Sequence, residues 1–162
     1  MYCSFFGHHD YENDSEHCIA ETIEKLIFSA NADVFYVGNK GSFDHAVHRA
    51  LRELKQKYPY IKVYIVLDCV APFTDDKLNE DEREYLEELA DFEFLVPDGI
   101  ENVPKRFAMR HRNEWMIREC DVAVVYCLYS GSDTQRYIEK LNKAGKTIVN
   151  VAELTSEADC PF

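Results

Sequence analysis

A glycine-containing turn between a short apolar run and a helical pattern has the residue types needed to bind an anion. The apolar run is Val34–Val37, and the turn that follows reads Gly-Asn-Lys-Gly-Ser-Phe-Asp over residues 38–44. Glycine lets the backbone approach an anion, and the first N–H groups of a helix have no partner within it. The turn is neither a GxGxxG nor a Walker A sequence, so a tight connection without a ligand is the alternative.

The candidate binding residues of this turn are Gly38, Asn39, Lys40, Gly41, Ser42 and Asp44. Lys40 adds a positive charge, whereas Asp44 either caps the following helix or binds a ribose hydroxyl.

Two further turns have a similar small and polar composition. Their candidate binding residues are Gly7, His8, Ser130, Gly131, Ser132 and Thr134. His8, His9 and Asp10 together suggest a metal site, but adjacent side chains leaving a strand point apart, so we expect no metal and no cofactor. His8 is expected to donate or accept a hydrogen bond in a ligand pocket.

Arg112 is the most informative charged side chain. Apolar residues of its predicted helix place it on the inward-leaning face, with Asn113 beside it. A guanidinium there needs an anionic partner, which is either a ligand phosphate or a structural ion pair with Asp121 or Asp44. Tyr126, Cys127 and Tyr129 are interpreted as sheet packing.

Strands and helices alternate along the chain and would position these residues. The pattern predicts strands over residues 1–6, 34–37, 62–67, 122–128 and 147–151, with a weak extra strand over 92–96. A first helix is predicted to follow the N-cap candidates Asn13, Asp14 and Ser15 and to reach residue 30. Further helices are predicted over residues 43–58, 80–90, 105–119 and 133–144. This is an α/β, Rossmann-like fold with a mainly parallel sheet of about five strands and helices on both faces. Ligands of such sheets lie beyond the carboxyl ends of the strands, where the three polar turns would meet.

Composition limits the partners and the compartment. The 162 residues suit one domain (1–162), and the net charge of -12 argues against duplex nucleic acid. Six cysteines without a CxxC pair favour a reducing cytoplasm. No signal peptide and no membrane-spanning run is found in the sequence, so no membrane partner is expected.

Several segments together resemble an uncharacterised bacterial branch of the SLOG superfamily. They are Phe6-Gly-His8, Tyr36-Val-Gly-Asn-Lys-Gly-Ser-Phe-Asp44, Arg112-Asn-Glu-Trp-Met116, Asp121, and Lys143-Ala-Gly-Lys146 through Val149-Asn150. This Rossmann-like group contains the Lonely Guy phosphoribohydrolases and the DNA-processing protein A family. The resemblance covers about residues 3–151. It implies a pocket for a nucleotide or nucleotide derivative, with the phosphate held by the glycine turns, and a homodimer.

The resemblance carries over less completely to catalysis. Lonely Guy enzymes cleave the N-glycosidic bond of a nucleoside monophosphate with an arginine in an R-K-x-x-M helix and a glutamate after a P-G-G-x-G-T turn. Arg112 with Met116 resembles the arginine site. Gln135 and Arg136 stand where the glutamates would follow, so Asp133 or Asp44 would have to supply the carboxylate. The candidate catalytic residues are Arg112 and Asp133.

Three functions are compatible with this pattern. The first is a cytoplasmic binding protein for a nucleotide-derived small molecule, acting as a sensor, carrier or sequestering module. The second is a nucleotide N-glycosidase of the Lonely Guy type with a displaced carboxylate. The third is a protein-interaction module that uses the acidic helix within residues 75–91, a stretch with nine acidic and two basic side chains.

Overall fold

The computed structural model describes residues 1–11, 16–70 and 79–154, in which strands and helices alternate. The strands are β1 (Tyr2–Gly7), β2 (Val34–Val37), β3 (Lys62–Val66), β4 (Glu93–Leu95), β5 (Val122–Tyr126) and β6 (Thr147–Asn150). The helices are α1 (Glu16–Ala30), α2 (Ser42–Lys57), α3 (Glu80–Glu88), α4 (Lys105–Glu119) and α5 (Asp133–Lys143), with short 3-10 helices at Ile100–Asn102 and Val151–Glu153.

The strands form one parallel sheet in the order β4-β3-β2-β1-β5-β6. β1 pairs with β2 on one side and with β5 on the other, although β5 follows more than a hundred residues later. The order of the strands therefore reverses between β1 and β5, which is where parallel sheets open a crevice at their carboxyl ends.

Helices cover both faces of the sheet. On one face α1 and α2 bury side chains such as Ile23 and Leu51. On the other face α4 and α5 bury Met116 and Leu141. Every residue of β5 is buried, which explains its continuous apolar sequence, because a central parallel strand contacts side chains on both faces.

Local sequence signals set several helix ends. Ser132 caps α5 by accepting a hydrogen bond from the Gln135 backbone N–H at 3.1 Å, as the capping-box spacing predicts. Gly145 follows that helix with a φ of 67°. At the end of α2, Pro59 follows Tyr58 and prevents the helix from continuing.

The predicted fold class is confirmed, with one difference in the sheet. The sheet has six strands and not five, because the weak apolar stretch forms the edge strand β4. β4 has only three residues and pairs with one strand, so its alternation of apolar and polar residues is too short to predict a strand clearly. The predicted cap of α1 (Asn13, Asp14 or Ser15) lies outside the described residues.

Candidate functional site

A cavity of about 750 Å³ opens at the carboxyl ends of β1 and β5. Turns after β1, β2 and β5 line it, together with α4. The predicted site residues that line this cavity are Gly7, His8, Lys40, Gly41, Asp44, Arg112, Asn113, Gly131, Ser132, Asp133 and Thr134. The three polar turns therefore come together at one site. Their ligand-binding role stays a prediction.

Arg112 lies in the wall of this cavity and is only 4% exposed. Its Nε donates a hydrogen bond to Asn113 Oδ1 at 3.0 Å, and its Nη1 donates to Asn39 Oδ1 at 2.9 Å. Among the described residues it forms no ion pair, so neither Asp121 nor Asp44 is the structural partner considered above. Two neutral amides thus hold the buried guanidinium by hydrogen bonds, and the Asp44 carboxyl acts on its charge without forming an ion pair.

Asp44 places a second buried charged group in the same wall. Its side chain is 6% exposed, and its Oδ2 accepts the Lys40 backbone N–H at 3.0 Å. Burial raises the pKa of Asp44 from 3.8 to about 6, although the charge of Arg112 and the hydrogen bond from Lys40 act in the opposite direction. The helix begins after Gly41 without a side-chain cap, so Asp44 is not its N-cap.

Several groups of the glycine turn that could bind an anion are already bound by other groups of the chain. The Lys40 N–H is bound by the Asp44 carboxyl, and the Ser42 N–H donates to the His9 carbonyl at 3.2 Å. The Lys40 ammonium pairs with Asp68 at the end of β3. The groups on which the sequence prediction relied are therefore largely used within the chain, and Arg112 supplies the available positive charge.

Gly38 shows how closely this turn approaches the side chains of Arg112 and Asp44. A Cβ built on Gly38 would come within 2.9 Å of Arg112 Nη2 and would also strike the Asp44 carboxyl. Gly41 has a φ of 95°, a conformation that other residues rarely adopt, and a Cβ there would come within 2.7 Å of His9 Nδ1. Both glycines are required by close packing of the turn.

Behind the turn, His48 connects it to the acidic helix α3. The His48 Nε2 donates to the Gly38 carbonyl at 2.9 Å, and its Nδ1 accepts from the Tyr85 hydroxyl at 2.9 Å. Burial lowers the pKa of His48 to about 3, so the ring is neutral in the folded protein near neutral pH. His48 was not singled out from the sequence; its position one helical turn after Asp44 is the signal.

His8 and Tyr129 form an aromatic pair at the rim of the cavity. Their rings stack with centroids 4.4 Å apart and an angle of 7° between the planes. His8 Nε2 accepts the Leu128 N–H at 3.0 Å, so the ring proton is on Nδ1, which faces Thr134 Oγ1 at 3.5 Å. Tyr129 is 55% exposed, in contrast to the sheet packing expected for it. Tyr126 does pack in the core, against Phe43.

The remaining predicted residues have other positions. Gly38 and Asn39 contact His48 and Arg112 from behind the cavity wall. Ser42 donates its hydroxyl to the His9 carbonyl at 2.9 Å, and Ser130 lines a second cavity. The sequence reasoning missed the apolar lining of the main cavity, which includes Phe5, Phe6, Met109 and Tyr137.

Asp133 is poorly placed for catalysis. Its side chain is 81% exposed and pairs with Arg136 at 2.9 Å. Of the two carboxylates considered from the sequence, only Asp44 is buried in the cavity. The described residues contain no cluster of three or more histidine, cysteine or carboxylate side chains suited to a metal ion.

The charge of the chain is unevenly distributed. Residues 105–146, which include α4, β5 and α5, carry nine basic and five acidic side chains. The remainder of the chain accounts for the whole acidic excess. The face of the sheet that carries α4 and α5 is therefore locally basic, and it borders the cavity through Arg112.

No family model and no curated protein matches the sequence, whereas solved structures do. The chain is similar to DNA processing protein A from Streptococcus pneumoniae, with a TM-score of 0.62 and 16% identity over 91% of this chain and 48% of that one. It is also similar to DNA processing protein A from Helicobacter pylori, whose structure is described for its unique single-stranded DNA binding mode. That match has a TM-score of 0.63 and 15% identity over 91% of this chain and 63% of that one.

These similarities establish a Rossmann-type fold like that of DNA processing protein A. The chain spans less than two thirds of the length of either protein. The prediction of a nucleotide-derived small molecule as partner is wrong, because the Helicobacter pylori neighbour is described as binding single-stranded DNA, a polymer. The exclusion of duplex nucleic acid is compatible with that neighbour. The homodimer, the Lonely Guy relationship and the uncharacterised bacterial branch stay predictions.

No helix in the described part of the chain is both long enough and apolar enough to span a bilayer. The five cysteines in these residues, Cys3, Cys18, Cys69, Cys120 and Cys127, are free thiols.

Proposed function

We propose that this chain binds single-stranded nucleic acid across the carboxyl ends of its strands. The observation that carries the proposal is the buried Arg112 guanidinium, which lines the cavity and whose hydrogen-bond partners among the described residues are neutral amides. A buried charge of this kind favours an anion, and a phosphodiester matches the fork of a guanidinium.

The surroundings of Arg112 suit a single strand better than a duplex. Single-strand binders combine positive charge that follows the backbone with aromatic rings on which bases stack. Here Arg112 belongs to the basic helix α4, and the exposed Tyr129 lines the same cavity. The large negative charge elsewhere in the chain disfavours the many simultaneous phosphate contacts that a duplex requires. The single-stranded DNA bound by the Helicobacter pylori neighbour supports this choice of partner.

The test is fluorescence anisotropy with a labelled single-stranded oligothymidylate over a range of salt concentrations. Arg112→Ala should weaken binding at least about tenfold, because a charge-assisted contact is removed. It should also reduce the salt slope by about 0.7, the value for one phosphate contact on a single strand. Arg112→Lys should restore binding only in part, because it keeps the charge without the fork.

Two matched controls separate a local contact from a general charge or aromatic effect. Arg118→Ala removes an exposed arginine from the last turn of α4, and Tyr60→Ala removes an exposed ring before β3, at the amino edge of the sheet. Neither should change affinity by more than about twofold, whereas Tyr129→Ala should weaken it by about tenfold. A wild-type protein that binds no single strand, or an Arg112→Ala variant that equals Arg118→Ala, would refute the proposal.

A second candidate function is hydrolysis of an N-glycosidic bond in the bound strand. It is favoured by Asp44, a buried carboxyl group beside Arg112 whose pKa lies at about 6, near the pH at which an acid or base catalyst works best. Asp133, exposed and paired with Arg136, is not favoured for this role. Release of free base from a single strand by the wild type, and its loss in Asp44→Asn, would support this activity.

The organisation of residues 1–162 as a single domain and the cytoplasmic location also stay predictions. We infer the location from the free thiols, which suit a reducing compartment.

A further inference from the structure

A second cavity, which we call the polar pocket, lies beyond the ends of β5 and β6. Its volume is about 460 Å³. It is lined by Cys127, Leu128, Tyr129, Ser130, Gln135, Ile138, Asn142, Ile148, Asn150 and Glu153. Among the described residues the lining contains no lysine or arginine, and Glu153 adds a negative charge, so an anion is disfavoured there. Three amide side chains favour a neutral polar ligand.

One of these amides has a structural role. Asn150 Oδ1 accepts the Cys127 N–H at 3.1 Å and the Ala152 N–H at 3.3 Å. Its Nδ2 donates to the Cys127 carbonyl at 3.0 Å and to Glu153 Oε1 at 2.8 Å. Asn150 therefore has little remaining capacity for a ligand, and it fixes the backbone at the end of β5.

Within the part of the chain that the structure describes, the other two amides have hydrogen-bonding groups without a partner. Gln135 Oε1 faces the Cys127 thiol at 3.7 Å, while its amide nitrogen has no hydrogen-bond partner among the described residues. The Asn142 side chain likewise makes no hydrogen bond within the described part of the chain and is exposed. A side-chain amide presents one donor and one acceptor side by side, which matches the edge of a nucleobase.

Tyr129 stands between the polar pocket and the main cavity. Tyr129 lines both cavities, whereas His8, whose ring stacks on that of Tyr129, lines only the main cavity. His8 covers one face of the Tyr129 ring, and Tyr129 is still 55% exposed, so its exposed part includes the face opposite His8. The pocket thus offers a planar aromatic face, apolar walls from Ile138 and Ile148, and free amides.

We propose that the polar pocket binds one nucleobase of the single strand, next to the phosphate held by Arg112. The base stacks on Tyr129, and its hydrogen-bonding edge contacts Gln135 and Asn142. This inference rests on the proposed function and deepens it, because it makes the site sensitive to which base the strand carries. Phosphate recognition alone gives no such preference.

The experiment compares labelled single strands of equal length: oligothymidylate, oligodeoxyadenylate, oligodeoxycytidylate and a strand of abasic units. The wild type should bind its preferred base at least about tenfold more tightly than the abasic strand, because stacking is lost without a base. Gln135→Ala and Asn142→Ala should each reduce the differences among the three bases. Both should leave binding to the abasic strand unchanged.

Asn102→Ala is the matched control, because this exposed asparagine lines neither cavity. It should keep the wild-type order of affinities. Asn142 lies on the surface of α5, so its variant tests the inference even if Gln135→Ala impairs folding. The inference is overturned if the wild type binds the abasic strand as tightly as the others, or if neither amide variant changes the base preference. If Arg112-dependent binding persists in those cases, the proposed function survives; if no strand binds, both fall.

Discussion

Replacing Asp44 with asparagine should stabilise the folded protein at neutral pH. The Asp44 carboxyl is buried, and its pKa rises from 3.8 to about 6 because desolvation outweighs the nearby charge of Arg112. Keeping this group ionised at pH 7 therefore costs about 3 kcal/mol of folding free energy, from about two pKa units. Asparagine is nearly isosteric and can still accept the Lys40 N–H, so Asp44→Asn should raise the free energy of unfolding by up to about 3 kcal/mol.

The pH dependence gives a sharper test, because His48 acts with the opposite sign. Because the pKa of Asp44 is higher in the folded protein than in the unfolded chain, its contribution to the free energy of unfolding is fully present below pH 3.8. This contribution is lost as the pH rises through about 6. Folding lowers the pKa of His48 from 6.5 to about 3. Its contribution to the free energy of unfolding is therefore fully present above pH 6.5 and is lost as the pH falls toward 3. Between about pH 4 and 6 the stability that is lost through Asp44 as the pH rises is nearly equal to the stability that is gained through His48, so the two slopes of unfolding free energy against pH nearly cancel. In Asp44→Asn only the His48 slope remains, about 1.4 kcal/mol per pH unit.

Urea unfolding followed by circular dichroism at several pH values between 4 and 7.5 measures both effects. The variant and the wild type should have nearly equal stability at about pH 4, where Asp44 is protonated, and should diverge as the pH rises. Asp98→Asn, at an exposed carboxylate outside the main cavity, is the control and should follow the wild type. A variant that is less stable at pH 7, or whose curve runs parallel to the wild type, would refute this account of Asp44.

Three further changes test other parts of the site. Ser132→Ala removes the cap of α5 and should lower the free energy of unfolding by about 1 kcal/mol in urea titrations; an unchanged value would contradict the cap. Tyr85→Phe leaves the buried His48 Nδ1 without its donor and should cost about 1–3 kcal/mol by the same measurement, and a neutral result would mean that water replaces the hydroxyl. Gly38→Ala should displace the Arg112 guanidinium, costing about 1–3 kcal/mol of stability and weakening single-strand binding in anisotropy; wild-type binding would show that the turn adapts.

Local patterns in the sequence determined most of the secondary structure and the general location of the site. The apolar run of β5, the helical spacing after Gly41 and the capping box at Ser132 each act within a few residues, so their outcome is visible without the rest of the chain. Arg112 was placed on an inward face for the same reason. Glycine and polar residues after the strands indicated the carboxyl edge of the sheet, because that edge is common to all parallel strands.

The tertiary structure decided which of these groups meet and what they do. The pairing of β1 with β5 brings His8 against Tyr129, 121 residues apart, and the packing of α4 brings Arg112 to Asn39. Asp44 and Arg112 come together at Gly38 only because α4 packs against the turn after β2. Such contacts depend on the order of the strands and on side chains from distant segments. The strand order is set by the burial of apolar side chains across the whole sheet. The spacing of residues along one segment contains no record of them.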